Sequence, residues 1–415
     1  MTRRLSVNLR FFALLLVLLM GMLMTASLAD KAQDNTDGSC SASTDRHALD
    51  HRHDDKQASD HEDAEHESNG GSSCGCSSGT QRSNVVDSQQ SNEEEMMVIE
   101  NSSRNNAKVR LPQELIDAYK NHPEPKLVQL PGGLFTMGTT KIENPLDGEG
   151  PPRKVRVSEF QIHEKEVSIG DFARFVIDTG YETDAEKFGW SFCFERTLSP
   201  QILSQIQVAV EQVPWWLPVN GSNWLYPNGP DQSAFPSKMN HPVTHVSHND
   251  AKAYCEWLGL RLPTEAEFEY AMRGGLENKS YPWGDDLVPN GKHRANLWQG
   301  KFPTLNTVED GFEYSAPVDA FGPQNAFGLY NIVGNAWEWV ADAWITNHAR
   351  LGLDKVLVDP QVEIQGKMDK RDTERVKRGG SYMCHESYCL RYRTASRSSN
   401  SADSSAQNLG FRCAV

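Results

Sequence analysis

The stretch Arg261-Leu262-Pro263-Thr264-Glu265-Ala266-Glu267, running on to Gly274-Gly275, divides the folded part of this chain into two halves of different character. Thr264 and Glu267 have the spacing of a capping box, in which each side chain satisfies the other's backbone N–H. Gly274-Gly275 supplies the stop. The stretch therefore predicts a helix opening just after Pro263. Upstream of it the pattern is periodic. Leu127 to Gly138 alternates around the turn Pro131-Gly132-Gly133, and Val155-Arg156-Val157 and Phe160-Gln161-Ile162 read as strand. Ser168 to Ile177 puts Ile169, Phe172, Phe175 and Val176 on one helical face. A further helix is predicted from Asn249 to Leu258, with Ser247 as its cap and Asp250 in its first turn. Downstream of Gly275 the chain is dense in Gly, Pro, Asn and Trp, with short strand-like pieces at most. The expected class is α+β with low regular secondary-structure content. The irregular half calls for a device beyond packing, and disulfides and calcium ions are the usual ones in a secreted protein.

The amino terminus sets the compartment. Arg3, Arg4 and Arg10 precede an apolar run from Phe11 to Met24, with small residues at Ser27 and Ala29. This is the layout of a cleaved signal peptide over residues 1–29, and the run is short of the roughly 20 residues a membrane span needs. The mature chain is expected in the endoplasmic reticulum lumen, partly secreted, with no span after signal removal. Residues 30–125 read as an acidic, disordered extension. Between residues 30 and 100 there are 17 Asp and Glu against 5 Lys and Arg, which accounts for most of the net charge of −15. That acidity belongs to the tail, and no basic patch speaks for nucleic acid.

Eight cysteines remain: Cys40, Cys74, Cys76, Cys193, Cys255, Cys384, Cys389 and Cys413. Cys74-Gly75-Cys76 in the tail is either a strained disulfide or a pair of reactive exposed thiols. Within Gly379 to Cys389, Cys384 and Cys389 lie five apart. Spacing alone favours a structural disulfide. The competing reading is a thiolate pair for a soft metal, with two-coordinate sulfur suiting Cu(I) and tetrahedral zinc wanting further ligands. Asn331 to Trp339 and the segment Ala295 to Phe312 offer the oxygen donors that calcium takes, though composition alone makes them ordinary polar turns. Asn101, Asn220 and Asn278 each open an Asn-x-Ser sequon and are glycosylation candidates.

Taken in order, these motifs carry a resemblance. Pro131-Gly132-Gly133, Met137-Gly138, His241-Pro242-Val243, Arg261 to Glu267, Tyr281-Pro282-Trp283-Gly284, Gly334 to Trp339 and Gly410-Phe411-Arg412-Cys413 resemble the formylglycine-generating enzyme family, the sulfatase-modifying factors. Ser381 to His385 with Ser387-Tyr388-Cys389 resembles its catalytic branch. The resemblance implies a catalytic domain over residues 126–415, in a fold related to C-type lectins. It implies that Cys384 and Cys389 are catalytic and bind Cu(I), and that Ser381, Trp337, His385 and Tyr388 line the substrate and oxygen pocket. One calcium site is implied at Asn296, the Leu297 carbonyl, Asp310 and the Phe312 carbonyl, and a second at Asn331, Gly334, Ala336 and Glu338. A disulfide is implied between Cys255 and Cys413, and retention by lumenal thiol chaperones through Cys74 and Cys76.

The implied activity converts the Cys of Cys-x-Pro-x-Arg in unfolded sulfatase polypeptides to formylglycine, with dioxygen as co-substrate and a thiol reductant. The expected assembly is a monomer or thiol-linked dimer. Two alternatives stand beside this reading: an inactive paralogue, which would normally lack an active-site cysteine, and a calcium-dependent lectin-like binding module.

Overall fold

The computed structural model describes residues 110–348, 354–363 and 374–415. Its strands in chain order are β1 (Leu127–Leu130), β2 (Gly133–Met137), β3 (Arg153–Val157), β4 (Phe160–His163), β5 (Trp190–Phe194), β6 (Trp216–Asn220), β7 (Trp337–Ala343), β8 (Leu357–Val358), β9 (Glu374–Arg378), β10 (Ser398–Ser401) and β11 (Leu409–Phe411). The helices are α1 (Gln113–Tyr119), α2 (Ile169–Thr179), α3 (Asp184–Phe188), α4 (Pro200–Leu203), α5 (His248–Trp257) and α6 (Glu265–Arg273). The strands make four small sheets: β1-β4, β2-β3-β8, β5-β6 and β10-β9-β7-β11. The mixture of short helices and short sheets is the α+β class expected from the sequence.

Local chemistry sets the helices. α2, α5 and α6 each open on a reciprocal capping box, at Ser168/Asp171, Ser247/Asp250 and Thr264/Glu267. Arg261 adds a two-pronged ion pair to Glu267, both contacts at 2.7 Å. α6 then ends on Gly274, whose φ of 56° is the left-handed cap conformation. The apolar face of α2 packs Phe172 against Tyr254 of α5 and Trp224, and Phe411 of β11 closes the same cluster. Beside it Cys255 and Cys413 form the disulfide the resemblance implies, tying α5 to the carboxyl terminus.

The ordered fold begins earlier than Leu127. α1 buries Leu115 completely and lies against α2, where Gly170 leaves room for Tyr119; a Cβ there would sit 2.6 Å from the Tyr119 ring. α1 thus packs on the fold from ahead of the expected boundary at residue 126. A seven-residue helix with one deep apolar anchor carries no readable period. The signal segment, Cys40, Cys74, Cys76 and Asn101 lie outside the described residues. Asn220 and Asn278 are both exposed.

α6 is buried along its whole length, charges included. Glu265 pairs with Arg378 at 2.7 Å and with Arg397 at 2.5 Å, and Glu269 pairs with Arg378 and Arg273 at 2.7 Å each. Burial opposes ionisation of Glu265, but Arg397, Arg378 and Arg153 together outweigh it and hold the carboxyl well below the usual range. The lattice joins α6 to the end of β9 and the approach to β10, so it fixes the strands that flank the cysteine-rich segment.

Two outcomes are expected in chemical denaturation. Replacing Cys255 and Cys413 by Ala opens a 158-residue loop and should lower stability by about 5 kcal/mol in the chain-entropy model. Glu265→Gln, which takes the paired carboxylate from Arg397 and leaves Arg378 with Glu269 alone, should cost about 3–5 kcal/mol.

Candidate active site and cation-binding segments

The site is assembled where β7, β9 and β11 meet. β11 runs parallel to β7 with Leu409 opposite Trp337, and Trp337 N–H donates to the Asn408 carbonyl at 2.8 Å. β9 runs antiparallel on the other side of β7 and ends at Arg378. Gly379 and Gly380 then turn the chain with φ of 92° and 75°, values open to glycine. A Cβ on Gly379 would meet the Ile332 carbonyl at 3.0 Å, so the turn is also a close backbone approach.

Past this turn the cysteine segment folds on itself. Cys384 N–H donates to the Ser381 carbonyl at 2.8 Å, and both Tyr388 and Cys389 N–H donate to the His385 carbonyl, at 3.0 and 2.7 Å. The Cys384 carbonyl takes Trp298 N–H at 3.1 Å, and Tyr382 N–H reaches the Asn335 carbonyl at 2.9 Å. These bonds anchor the loop to both oxygen-rich segments. Cys384 and Cys389 are buried, are not joined in a disulfide, and line one narrow cleft of about 50 Å³.

Trp337, Ser381 and Tyr388 line that cleft with the two cysteines. His385 lies instead on a second cavity of about 260 Å³ that borders Cys384 from another side, among Arg294, Glu309 and Glu386. Its Nδ1 accepts from Ser387 N–H at 3.2 Å, which leaves Nε2 as the protonated nitrogen of the neutral ring. Ser381 Oγ accepts from Asn408 Nδ2 at 2.9 Å and Met383 N–H at 3.4 Å, leaving its own proton to donate. Tyr388 is stacked on Phe302 with ring centroids 4.2 Å apart and edged by Trp215, which fixes its plane.

Sequence reasoning missed Lys377, Asn400, Ser404 and Asn408, which form the polar part of the cleft, and Phe192 and Trp216, which form an apolar part. Lys377 Nζ sits 5.0 Å from the centre of the Trp337 ring and 2.5 Å from Asn400 Oδ1. Asn408, two residues before Gly410-Phe411-Arg412-Cys413, and Lys377, two residues before Gly379-Gly380, stand near recognisable signals. Cys193 is not in the cleft. It is buried between Ser222 Oγ at 3.2 Å and the Pro227 carbonyl, and burial pushes its thiol up to about 12.

The donor set bears on which metal would fit. Among the described residues no three His, Cys, Asp or Glu side chains converge as a metal-binding group. Two thiolates without such a third ligand suit a soft monovalent ion better than tetrahedral zinc.

The oxygen-rich segments are built differently. Leu297 C=O and Asp310 Oδ2 both face the Gln299 side-chain amide, Phe312 N–H donates to Asp310 Oδ1 at 3.0 Å, and Asn296 Oδ1 is buried without a partner. The Leu297 carbonyl and Asp310 Oδ2 share one amide donor and so lie close together. In the second segment Asn331 Oδ1 is likewise buried and partnerless, whereas Glu338 gives both carboxylate oxygens to Arg412, at 2.6 and 2.7 Å. Next to them, burial and the neighbouring Glu338 push the Glu166 carboxyl up to about 8, against Arg412 and the amides of Asn331 and Asn335.

The fold and this cleft define an α+β domain carrying a buried cysteine pair beside two oxygen-rich segments. Residues 112–415 match the family described as the sulfatase-modifying factor enzyme 1-like domain, and the chain belongs to that family. It is 55% identical over 293 residues to a formylglycine-generating enzyme of Bos taurus, covering 71% of this chain and 75% of that protein. It is 50% identical to a formylglycine-generating enzyme of Thermomonospora curvata, covering 70% and 93%. An inactive Cα-formylglycine-generating enzyme 2 of Bos taurus is 45% identical over 69% and 87%. Among solved structures PvdO of Pseudomonas aeruginosa shares the fold, with a TM-score of 0.50 and 23% identity over 70% and 94% of the two chains.

The burial of Cys193 predicts that iodoacetamide leaves it unmodified in the native protein and alkylates it on unfolding, read by peptide mass spectrometry. Substantial native-state labelling would contradict its placement.

Proposed function

We propose that this protein oxidises the cysteine of Cys-x-Pro-x-Arg segments in unfolded sulfatases to formylglycine, in the secretory lumen, using Cu(I) held by Cys384 and Cys389. The observation that carries this reading is the two buried cysteines facing one cleft with Trp337, Ser381 and Tyr388. The formylglycine-generating relatives at 55% and 50% identity support it.

The chain's own residues have definable work. An extended client peptide would enter by backbone pairing and place its thiol beside Cys384 and Cys389. Trp337, Phe192 and Trp216 exclude water from the reacting carbon. Ser381, held by Asn408, keeps a hydroxyl proton to donate at the cleft, and the Phe302–Tyr388 stack keeps the phenol end oriented. Cu(I), when bound, supplies the one-electron chemistry that lets dioxygen react with a closed-shell thiol.

The net reaction balances with one dioxygen and two reducing thiols. The client cysteine becomes an aldehyde and releases sulfide, the reducing thiols leave as one disulfide, and the second oxygen leaves as water. Two calcium ions, at the Asn296 and Asn331 segments, would hold the irregular half in place. Cys74 and Cys76 would serve retention by thiol chaperones, and glycan at exposed Asn220 or Asn278 is compatible with a lumenal protein.

Incubating a Cys-x-Pro-x-Arg peptide with the protein, Cu(I), a thiol reductant and air is expected to yield the aldehyde by mass spectrometry. Cys384→Ser and Cys389→Ser should each reduce turnover to background and weaken Cu(I) in competition with a chelator. An unchanged peptide with folded, copper-loaded protein would favour a sulfatase-binding paralogue without activity.

A further inference from the structure

The buried charge lattice around α6 holds more cations than anions. Its ion pairs join Arg273, Arg378, Arg391, Arg393 and Arg397 to Asp147, Glu149, Glu265 and Glu269, five guanidiniums on four carboxylates. Arg153 of β3 adds a sixth guanidinium and is 5% exposed. Burial lowers its pKa, and the nearby Glu265 and Glu269 carboxylates act the other way without pairing with it. Its Nη2 donates to Met137 Sδ at 3.3 Å, and its Nη1 is buried with no partner. Adding Asp342, which accepts Glu265 N–H at 2.7 Å, still leaves six guanidiniums against five carboxyls. Uncompensated charge in an interior is costly.

The surplus gathers at one place. Arg273 uses Nε and Nη2 on Glu269 and the Gly138 carbonyl, and Arg393 uses Nε and Nη2 on the Leu390 carbonyl and Glu149. Among the described residues nothing accepts from the Nη1 of either. Both arginines line a small pocket of about 50 Å³ with Gly138, Thr139, Lys141 and Thr394. Arg273 and Arg393 are themselves 4% and 8% exposed. A Cβ on Gly138 would lie 3.3 Å from Arg153 Nη1, so the orphaned group stands behind the glycine in the pocket wall. Thr139 Oγ1 accepts Lys141 N–H at 2.9 Å, which leaves its proton to donate. Lys141, Lys279 and the acidic Glu143 also line the pocket and are exposed.

From this geometry we infer that the pocket binds a small tetrahedral oxyanion, inorganic phosphate or sulfate, on the unclaimed Nη1 groups of Arg273 and Arg393 with Arg153 behind them. Guanidinium forks match the oxygens of such anions, and a divalent anion offsets the surplus charge. The anion ties the loop after β2, which carries Asp147 and Glu149, to Arg393, four residues beyond Cys389. It is a ligand of the scaffold and does not depend on the oxidation chemistry.

The test uses purified full-length protein exchanged into a chloride buffer free of phosphate and sulfate. Calorimetric titrations with phosphate and with sulfate, at constant ionic strength, are expected to saturate at one site. Arg153→Met removes the uncompensated charge and keeps the bulk of the side chain. It should bind at least about tenfold more weakly, and the phosphate-dependent rise in Tm should shrink. General salting effects act on both proteins alike and leave that difference intact. No saturable heat in wild type, wild-type affinity in the variant, or displacement of phosphate by chloride at equal concentration would overturn the inference.

Should the variant fail to fold, wild-type crystals soaked in selenate, a sulfate analogue, decide by anomalous diffraction. Selenate oxygens within about 2.7–3.2 Å of Arg273 Nη1 and Arg393 Nη1 support the site, and an empty pocket defeats it. Selenate in the crystal without saturable binding in solution is an adventitious ion only and counts against the inference.

Discussion

The fold depends on a buried lattice of opposite charges, with Glu265 and Glu269 of α6 facing Arg378, Arg397 and Arg273. Such a lattice contributes less net stability than an apolar core of the same volume, because every member must be desolvated. What it supplies is geometry. Arg378 closes β9, and the next residues are the two glycines that launch the cysteine segment. Holding that guanidinium in two carboxylates fixes where the turn begins. It also explains a helix with no exposed face in a chain that carries few long helices.

A second set of charges holds the far side of the same segment. Arg391 pairs with Asp147 and Arg393 with Glu149, both at 2.5 Å, two and four residues beyond Cys389. Arg393 Nε also holds the Leu390 carbonyl at 2.9 Å. The cysteine segment is therefore pinned at both ends by buried ion pairs and in the middle by backbone bonds to Asn335 and Trp298. A thiol pair built this way is pre-organised. Its sulfurs are presented by a loop that has few alternative conformations, which is what metal binding and oriented chemistry require.

The oxygen-rich segments belong to the same economy of means. Their Asn and Asp side chains satisfy backbone groups that no helix or sheet reaches. Asn335 Oδ1 receives Ala316 N–H and the Asn296 amide while its Nδ2 goes to Glu166, so one side chain links the two candidate cation segments. In a chain half made of turns, such cross-links do the work that regular ladders do elsewhere.

The sequence by itself determined the elements whose causes are local. The capping boxes at Ser168, Ser247 and Thr264, the glycine stop at Gly274, the alternation of β1 to β4 and the pair Cys384/Cys389 depend on residues within a few positions of one another, so a linear reading reaches them. Tertiary structure alone decided the rest. α1 shows only one apolar anchor, and the five-residue strands β5 and β6 are recognised by each other rather than by period. Lys377, Asn400 and Asn408 enter the cleft because β9, β10 and β11 happen to flank β7 or one another, which no local pattern in the sequence announces. Glu166 reads as an ordinary acid before a helix and becomes a buried carboxyl beside Asn331 only through folding. The physical reason is one of range: hydrogen-bond caps and turns act over a few residues of chain, whereas desolvation and charge compensation are set by whatever the fold brings within a few ångströms.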